Sequence, residues 1–233
     1  MKKRVWLLNL GIEPYKPMEA LQQTLVDWRQ RGLIDDVLIL LEHEPVITLG
    51  RRADEAHILA SPEVLEAEGV QVCRTERGGD VTYHGPGQLV GYPILHLPDY
   101  DLGASDYMHR LEDMVAAALA EIGIQTHKRE GIIGVWVGEN KITALGVRIK
   151  RGVTFHGFAL NVNPNMLHWS FIIPCGITDG GVTSVALELA HAPTMAEMRA
   201  RVADHFARMF GVELVPTTVA ELEARAGEKV QTV

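Results

Sequence analysis

The chain has 233 residues, 47% of them apolar and 22% charged, a composition that supports a folded globule with a substantial core. Its net charge of −8 argues against a general nucleic-acid binder, which would more often be basic. Its two cysteines, Cys73 and Cys175, make neither a disulfide framework nor a zinc pattern, and no run approaches the roughly 20 apolar residues of a membrane span.

The length is long for one average domain and short for two, so a single domain over 1–233 is expected. Basic residues and a short apolar run open the chain, but Pro14 and charges interrupt it, so it reads as a first strand and not a signal peptide. That strand covers Val5–Leu10. Met18, Leu21, Leu25 and Trp28 recur at helical spacing, and Gly32 ends the helix. Val37–Leu41 is a continuous apolar run, a strand buried on both faces, and Val46–Leu49 is another, closed by Gly50. Ser61 followed by Pro62 reads as a capped helix start, and Val70–Arg74 returns as a strand.

Residues 77–97 are glycine-rich and then strand-like. A helix from Ser105 to Ile122 follows, with Met108, Leu111, Val115, Leu119 and Ile122 on one face and Gly123 as its stop. Ile132–Val137, Lys141–Ile149 and Gly152–Val162 read as antiparallel strands joined by turns at Gly138-Glu139-Asn140 and Lys150-Arg151-Gly152. Thr194 with Glu197 makes a capping box. The helix it opens is lined by Met198, Val202, Phe206 and Met209 and closed by Gly211. Thr218 with Glu221 opens a last short helix, and the tail after Gly227 is expected to fray. Hairpins mixed with separated helices indicate an α+β fold.

Three segments carry candidate chemistry. The first is Arg77-Gly-Gly-Asp-Val-Thr-Tyr-His84-Gly-Pro-Gly-Gln88. Glycine loses more entropy on folding than other residues, so such a run usually marks a tight turn or a close backbone approach to a ligand. It is neither a Walker loop nor a dinucleotide fingerprint, because no Gly-Lys-Ser/Thr follows and Gly85-x-Gly87 opens a strand. Arg77 has the guanidinium geometry to bind a carboxylate, a phosphate or a thioester-linked group. The second is Lys141-Ile-Thr-Ala-Leu-Gly146, where a lysine beside an apolar wall can have its pKa lowered and act as a base. The third is Pro174-Cys175-Gly176-Ile177, a loop cysteine with backbone N–H groups beside it, although a thiol needs a neighbour to ionise it near pH 7. Cys73, in a strand pattern, reads as an inert core thiol. His43, His84, His109, His127, His156 and His168 lack metal-ligand spacing. His84 and His156, beside glycines, read as pocket hydrogen-bonders.

Taken together, Arg77–Tyr92, Lys141–Arg148, Gly152–Val162 and Pro174–Ile177 with Thr183-Ser184 closely resemble the signatures of the lipoyl(octanoyl) transferases, in order, over about residues 36–190. The resemblance implies a fold shared with biotin and lipoate protein ligases. That is a mixed, largely antiparallel, curved sheet around an acyl pocket with flanking helices, a core over about 32–216 and a helical tail over 217–233. It implies transfer of octanoyl from acyl carrier protein to a lysine of lipoyl domains, those of 2-oxoacid dehydrogenase complexes and the glycine cleavage H protein, and the two widely spaced cysteines fit a reducing cytoplasm. Cys175 takes the nucleophile position and Lys141 that of its partner. The family's pocket positions fall on Arg77, Gly78, Gly79, Asp80, Val81, Thr82, Tyr83 and His84, on Ala144, Leu145 and Gly146, and on Gly157, Phe158 and Ala159. No cofactor or metal is implied. An ATP-dependent lipoate or biotin ligase on the same fold, with Cys175 incidental, and a non-catalytic acyl-binding module are the alternatives. Arg148, Lys150 and Arg151 are candidates for docking the carrier protein.

Overall fold

The structure is a computed structural model that describes residues 2–174 and 180–230. Strand β1 (Lys3–Glu13) leads into helix α1 (Tyr15–Gln30), then strands β2 (Asp36–His43) and β3 (Val46–Leu49). Helix α2 (Pro62–Ala67) precedes β4 (Gln71–Arg74), β5 (Val81–His84) and β6 (Gln88–Ile94). Helix α3 (Ala104–Ala120) is followed by β7 (His127–Arg129), β8 (Ile132–Val137), β9 (Asn140–Lys150) and β10 (Val153–Asn161). A two-residue β11 (Gly181–Val182), α4 (Val185–Glu188), α5 (Met195–Phe210), β12 (Val212–Pro216) and α6 (Val219–Ala226) complete the described chain.

The main sheet runs β12-β1-β2-β6-β10-β9-β8-β7, with β11 added beside β9. Its pairs are antiparallel from β2 to β7 and parallel at β12-β1-β2 and β11-β9. A smaller sheet, β4-β3-β5, carries the glycine-rich segment at its end. This is the mixed α+β architecture expected from the hairpins and separated helices.

Helices cover both faces of the main sheet, which explains why β2 is a continuous apolar run. Leu38 and Leu40 pack with Leu111, Met114, Val202 and Phe206 of α3 and α5. Val37, Ile39 and Leu41 pack with Leu21, Leu25 and Trp28 of α1 and Leu222 of α6. A strand buried on both faces gains nothing from a polar alternation. In α3 the buried stripe runs through Tyr107, Leu111, Met114, Val115, Ala118 and Leu119, so Met108 gives way to Tyr107, and Ile122 lies beyond the helix end. Both capping boxes form, at Thr194 with Glu197 and at Thr218 with Glu221. Gly211 closes α5 in the left-handed region at φ 65°.

Three features differ from the sequence reading. Strands β7, which is His-Lys-Arg, and β12, whose alternation of Val212 and Leu214 is only one step long, are not expected from the sequence, and both form on edges that neighbouring strands offer. The described part of the tail, residues 228–230, is tied down: Glu228 accepts a hydrogen bond from Trp28 Nε1 at 3.0 Å and pairs with Arg31, and Val230 N donates to Glu223 at 2.9 Å. Cys73 is not a core thiol. It is half-buried on β4, an outer strand of the small sheet, where Val72 is 44% exposed. Partial burial raises its pKa, with Lys16 opposing the shift. Among the described residues no helix is long and apolar enough to cross a membrane.

Candidate active site

The glycine-rich segment is sewn between two strands by its backbone. Arg51 N and Arg52 N donate to the carbonyls of Arg77 and Gly79, both at 3.1 Å, and Gly78 N donates to Val147 O of β9 at 3.1 Å. Side chains would prevent this. A Cβ on Gly50 would lie 2.5 Å from Gly79 O, and one on Gly146 would lie 3.1 Å from Gly78 O. The Arg77 side chain is buried and anchors the loop: Nη2 donates to Thr48 O at 2.6 Å, Nε to Thr48 Oγ1 at 3.1 Å and Nη1 to Gly78 O at 3.0 Å.

Below the loop the sheet supplies small residues. In the β9–β10 register Ala144 faces Ala159 and Gly146 faces Gly157, with the Leu145–Phe158 pair between them. Successive strand residues alternate faces, so the small residues share one face. Leu145 and Phe158 pack into the core on the other, and both also border the cavity. The result is a cavity of about 440 Å³, open mouth included, between this floor and the loop of Arg77, Gly78 and Gly79. Thr82, His84, Tyr15, Tyr92 and His156 complete its wall.

The same alternation sorts the candidate residues of β5. Thr82 and His84 line the cavity. Val81 and Tyr83 point into a separate core with Trp169 and Phe171, and the Tyr83 hydroxyl bonds His168 Nδ1 at 2.7 Å. Asp80 turns away as well, pairing with His57 and accepting from Asp54 N at 3.0 Å. The Arg77–His84 run is therefore half wall and half support.

Tyr15, His43, Tyr92 and His156 form a cluster that only the fold assembles. Tyr15 stacks on His84 with ring centroids 6.1 Å apart, and His43 lies 5.7 Å from His84. His43 Nδ1 meets the carbonyl of Glu13 at 2.9 Å, so Nδ1 carries the proton and Nε2 accepts from the Tyr92 hydroxyl at 2.7 Å. His156 has φ 55°, a left-handed conformation in the middle of β10, and Gln22 Oε1 accepts its backbone N–H at 2.7 Å. Burial lowers the pKa of His43 to about 4. Burial and then the Arg77 charge lower that of His156 to about 3. Burial followed by the neighbouring His43 holds His84 well below the ordinary value. All three imidazoles are neutral at pH 7. His156 was legible as a histidine beside a glycine and Tyr92 as the end of the Arg77–Tyr92 signature, whereas Tyr15 and His43 carried no local signal.

Lys141 opens β9 and is 6% exposed. It pairs with Trp136 across β8–β9, its Nζ lies 4.8 Å from that ring's centroid, and a Cβ on Gly134 would meet its Cε at 3.0 Å. With Trp136, Met166, Trp169, Pro174, Gly180, Gly181, Val182 and Leu187 it lines a second depression. It does not line the first cavity, whose nearest wall residue on β9 is Ala144. Cys175 lies outside the described residues. Arg148 is half-buried on β9, and Lys150 and Arg151 are exposed at the turn that follows. Among the described residues no group of three or more His, Cys, Asp or Glu could hold a metal ion.

Gly91 faces Phe158 across β6–β10, and a Cβ there would fall 2.1 Å from the ring's Cζ. Gly91→Ala is expected to destabilise the protein by about 1–3 kcal/mol, the usual range for overpacking. Urea unfolding measures this, and an unchanged midpoint would show that Phe158 is not seated against Gly91.

Residues 14–207 match the family described as the lipoyl protein ligase A/B catalytic domain. An octanoyltransferase from Koribacter versatilis is 43% identical over 97% of this chain and 96% of its own length. One from Alkaliphilus metalliredigens is 44% identical over 91% and 97%. A bipartite lipoate protein ligase from Thermoplasma acidophilum, described with its E2 lipoyl domain, has a TM-score of 0.72 at 18% identity, covering 97% of this chain and 91% of its own.

Proposed function

This chain belongs to the lipoyl protein ligase A/B family, among its octanoyltransferases, and on that premise we propose that it transfers an octanoyl group from octanoyl-acyl carrier protein to a lysine of a lipoyl domain. Identity of more than 40% to octanoyltransferases over nearly the whole chain carries this reading. The cavity supports it: a narrow space with a floor of Ala144, Gly146, Gly157 and Ala159 suits a straight alkyl chain. Seven buried CH₂ and CH₃ groups at about 0.8 kcal/mol each would contribute several kcal/mol, enough to select chain length. The acceptors are the lipoyl domains of 2-oxoacid dehydrogenase complexes and the glycine cleavage H protein, in the cytoplasm.

The reaction has two steps. Cys175 gives its proton to Lys141 and attacks the donor thioester. A new C–S bond forms, the bond to the pantetheine sulfur breaks, and Lys141 returns the proton to the departing thiolate. The target lysine then attacks the Cys175 thioester as a neutral amine. With a reference pKa of about 10.4, only about one part in a few thousand is neutral at pH 7, so a base is needed as the C–N bond forms. Neutral Lys141 takes that proton, and Cys175 leaves as thiolate. Pro174 and Gly180, on either side of the Cys175 segment, line the same depression as Lys141, which supports this pairing.

Mass spectrometry after incubation with octanoyl-acyl carrier protein tests the assignment. A hydroxylamine-labile octanoyl adduct should appear on Cys175 and be missing from Cys175→Ala. An adduct on Cys73, or full transfer by Cys175→Ala with ATP and free octanoate, would overturn it.

A further inference from the structure

A chain of buried amides runs from the cavity to the strand that carries Lys141. His84 Nδ1 lies 2.7 Å from Gln88 Oε1. Gln88 Nε2 reaches Tyr83 O at 3.2 Å and Asn161 Oδ1 at 2.9 Å. Asn161 Nδ2 donates to Thr183 O at 3.0 Å, and Thr183 N donates to Lys141 O at 3.0 Å. Gln88 is fully buried, and Asn161 and Thr183 are each 3% exposed. Gln88 and Asn161 are direct partners in the β6–β10 register.

The direction of every bond in this chain is determined. A backbone carbonyl can only accept, so the Asn161 atom facing Thr183 O is the NH₂ group, and its oxygen faces Gln88. The Gln88 atom facing Tyr83 O is likewise the NH₂ group, and its oxygen faces His84. His84 Nδ1 must therefore carry the proton. In a neutral ring that leaves Nε2 bare, and it is the ring nitrogen available to the cavity that His84 lines.

We propose that Gln88, oriented by Asn161, is a positioning residue that holds His84 as the neutral Nδ1–H tautomer, so that Nε2 is a fixed hydrogen-bond acceptor for an N–H group of an incoming substrate. The octanoyl chain has no donor of its own. The N–H belongs either to the attacking lysine or to the pantetheine amides of the donor, a distinction that rests on the proposed transfer reaction. The groups facing His84 disfavour a second proton on its ring: Arg77 is a cation, His43 and His156 are neutral imidazoles, and Tyr15 stacks on its face. The fixed tautomer is thus an acceptor over the whole working pH range. The chain's other end bonds Thr183 N to the Lys141 carbonyl, so one network runs from the His84 ring to the backbone that carries Lys141.

The first test needs no substrate. Long-range ¹H–¹⁵N correlation spectra of the wild-type protein should show His84 Nδ1 protonated and Nε2 bare at neutral pH. An Nε2–H tautomer would overturn the proposal whatever the protein's activity. Gln88→Met should release the tautomer and lower kcat by at least about tenfold, as holding an imidazole in the wrong tautomer does elsewhere, with KM changed less than kcat. Gln88→Glu places a carboxylate beside Nδ1, which should raise the His84 pKa and add to the pH–rate profile a second acidic limb beyond the one that the thiol and amine give wild type. Single-turnover arms separate the two donors. Slow acylation by octanoyl-acyl carrier protein would mark the pantetheine amides, and slow transfer from preformed octanoyl-enzyme to a lipoyl domain would mark the lysine. Unchanged rates in both arms, or lost activity with the His84 signature and pH profile unaltered, would reduce Gln88 to a structural role and overturn the proposal.

Discussion

Lys141→Ala is expected to lower octanoyl transfer by about 10²–10⁴-fold, the usual contribution of a positioned acid–base group. That loss follows from the role proposed for Lys141 as base. Its amine lies over Trp136, its stem runs through space that the absence of a side chain at Gly134 leaves open, and its backbone is tied to Thr183 N. Lys141→Arg should restore little, because a guanidinium with a pKa above about 12 does not give up its proton. Lys141→Met, which keeps an unbranched stem over Trp136, should fold normally and remain slow. The pH dependence of Cys175 alkylation checks the role directly. In Lys141→Ala the thiol's apparent pKa should rise, and an unchanged value would remove Lys141 as its activator.

The second large effect is loss of stability in acid. His43 and His156 have folded-state pKa values of about 4 and about 3, below the ordinary 6.5, and His84 is also depressed. The unfolded chain therefore binds protons that the folded chain refuses. The stability associated with these groups is fully present above about pH 6.5 and declines as the pH falls toward the folded values. At about 1.4 kcal/mol per pKa unit, His43 alone accounts for about 3 kcal/mol by pH 4. With His156 included the loss becomes comparable to the roughly 5–15 kcal/mol that holds an ordinary domain together, and His84 acts in the same direction. Urea midpoints should be flat from pH 8 to 7 and fall steeply between 6.5 and 4. A midpoint that stayed level to pH 4.5 would mean that the rings are not buried neutral.

These two predictions depend on different kinds of information. Lys141 was marked by its place in Lys141–Arg148, a stretch that resembles a family signature and needed no coordinates. His84 and His156, beside glycines, read singly as pocket hydrogen-bonders, but nothing in the sequence joins them to His43, because the three sit on β2, β5 and β10 and share no spacing. Even inside a recognised motif the sequence left roles unsorted. Arg77–His84 read as one binding segment, yet strand alternation sends Val81 and Tyr83 to the small-sheet core and leaves Thr82 and His84 on the cavity.

What the sequence determined by itself is what local chemistry encodes. The capping boxes at Thr194 and Thr218 need only a hydroxyl and a carboxylate one turn apart. The run Val37–Leu41 needs only to be apolar throughout to belong between two helix layers. The signature residues likewise identify the family without geometry. The tertiary structure alone decided what depends on contacts across the chain. Strands β7 and β12 form on edges that other strands provide, and Cys73 sits on an outer strand instead of in the core. Gln88 acquires its direction from the nearby Tyr83 carbonyl and from Asn161, a residue 73 positions away whose own amide is set by the Thr183 carbonyl. Hydrogen-bond direction and burial are properties of neighbours in space, and a sequence records neighbours only along the chain.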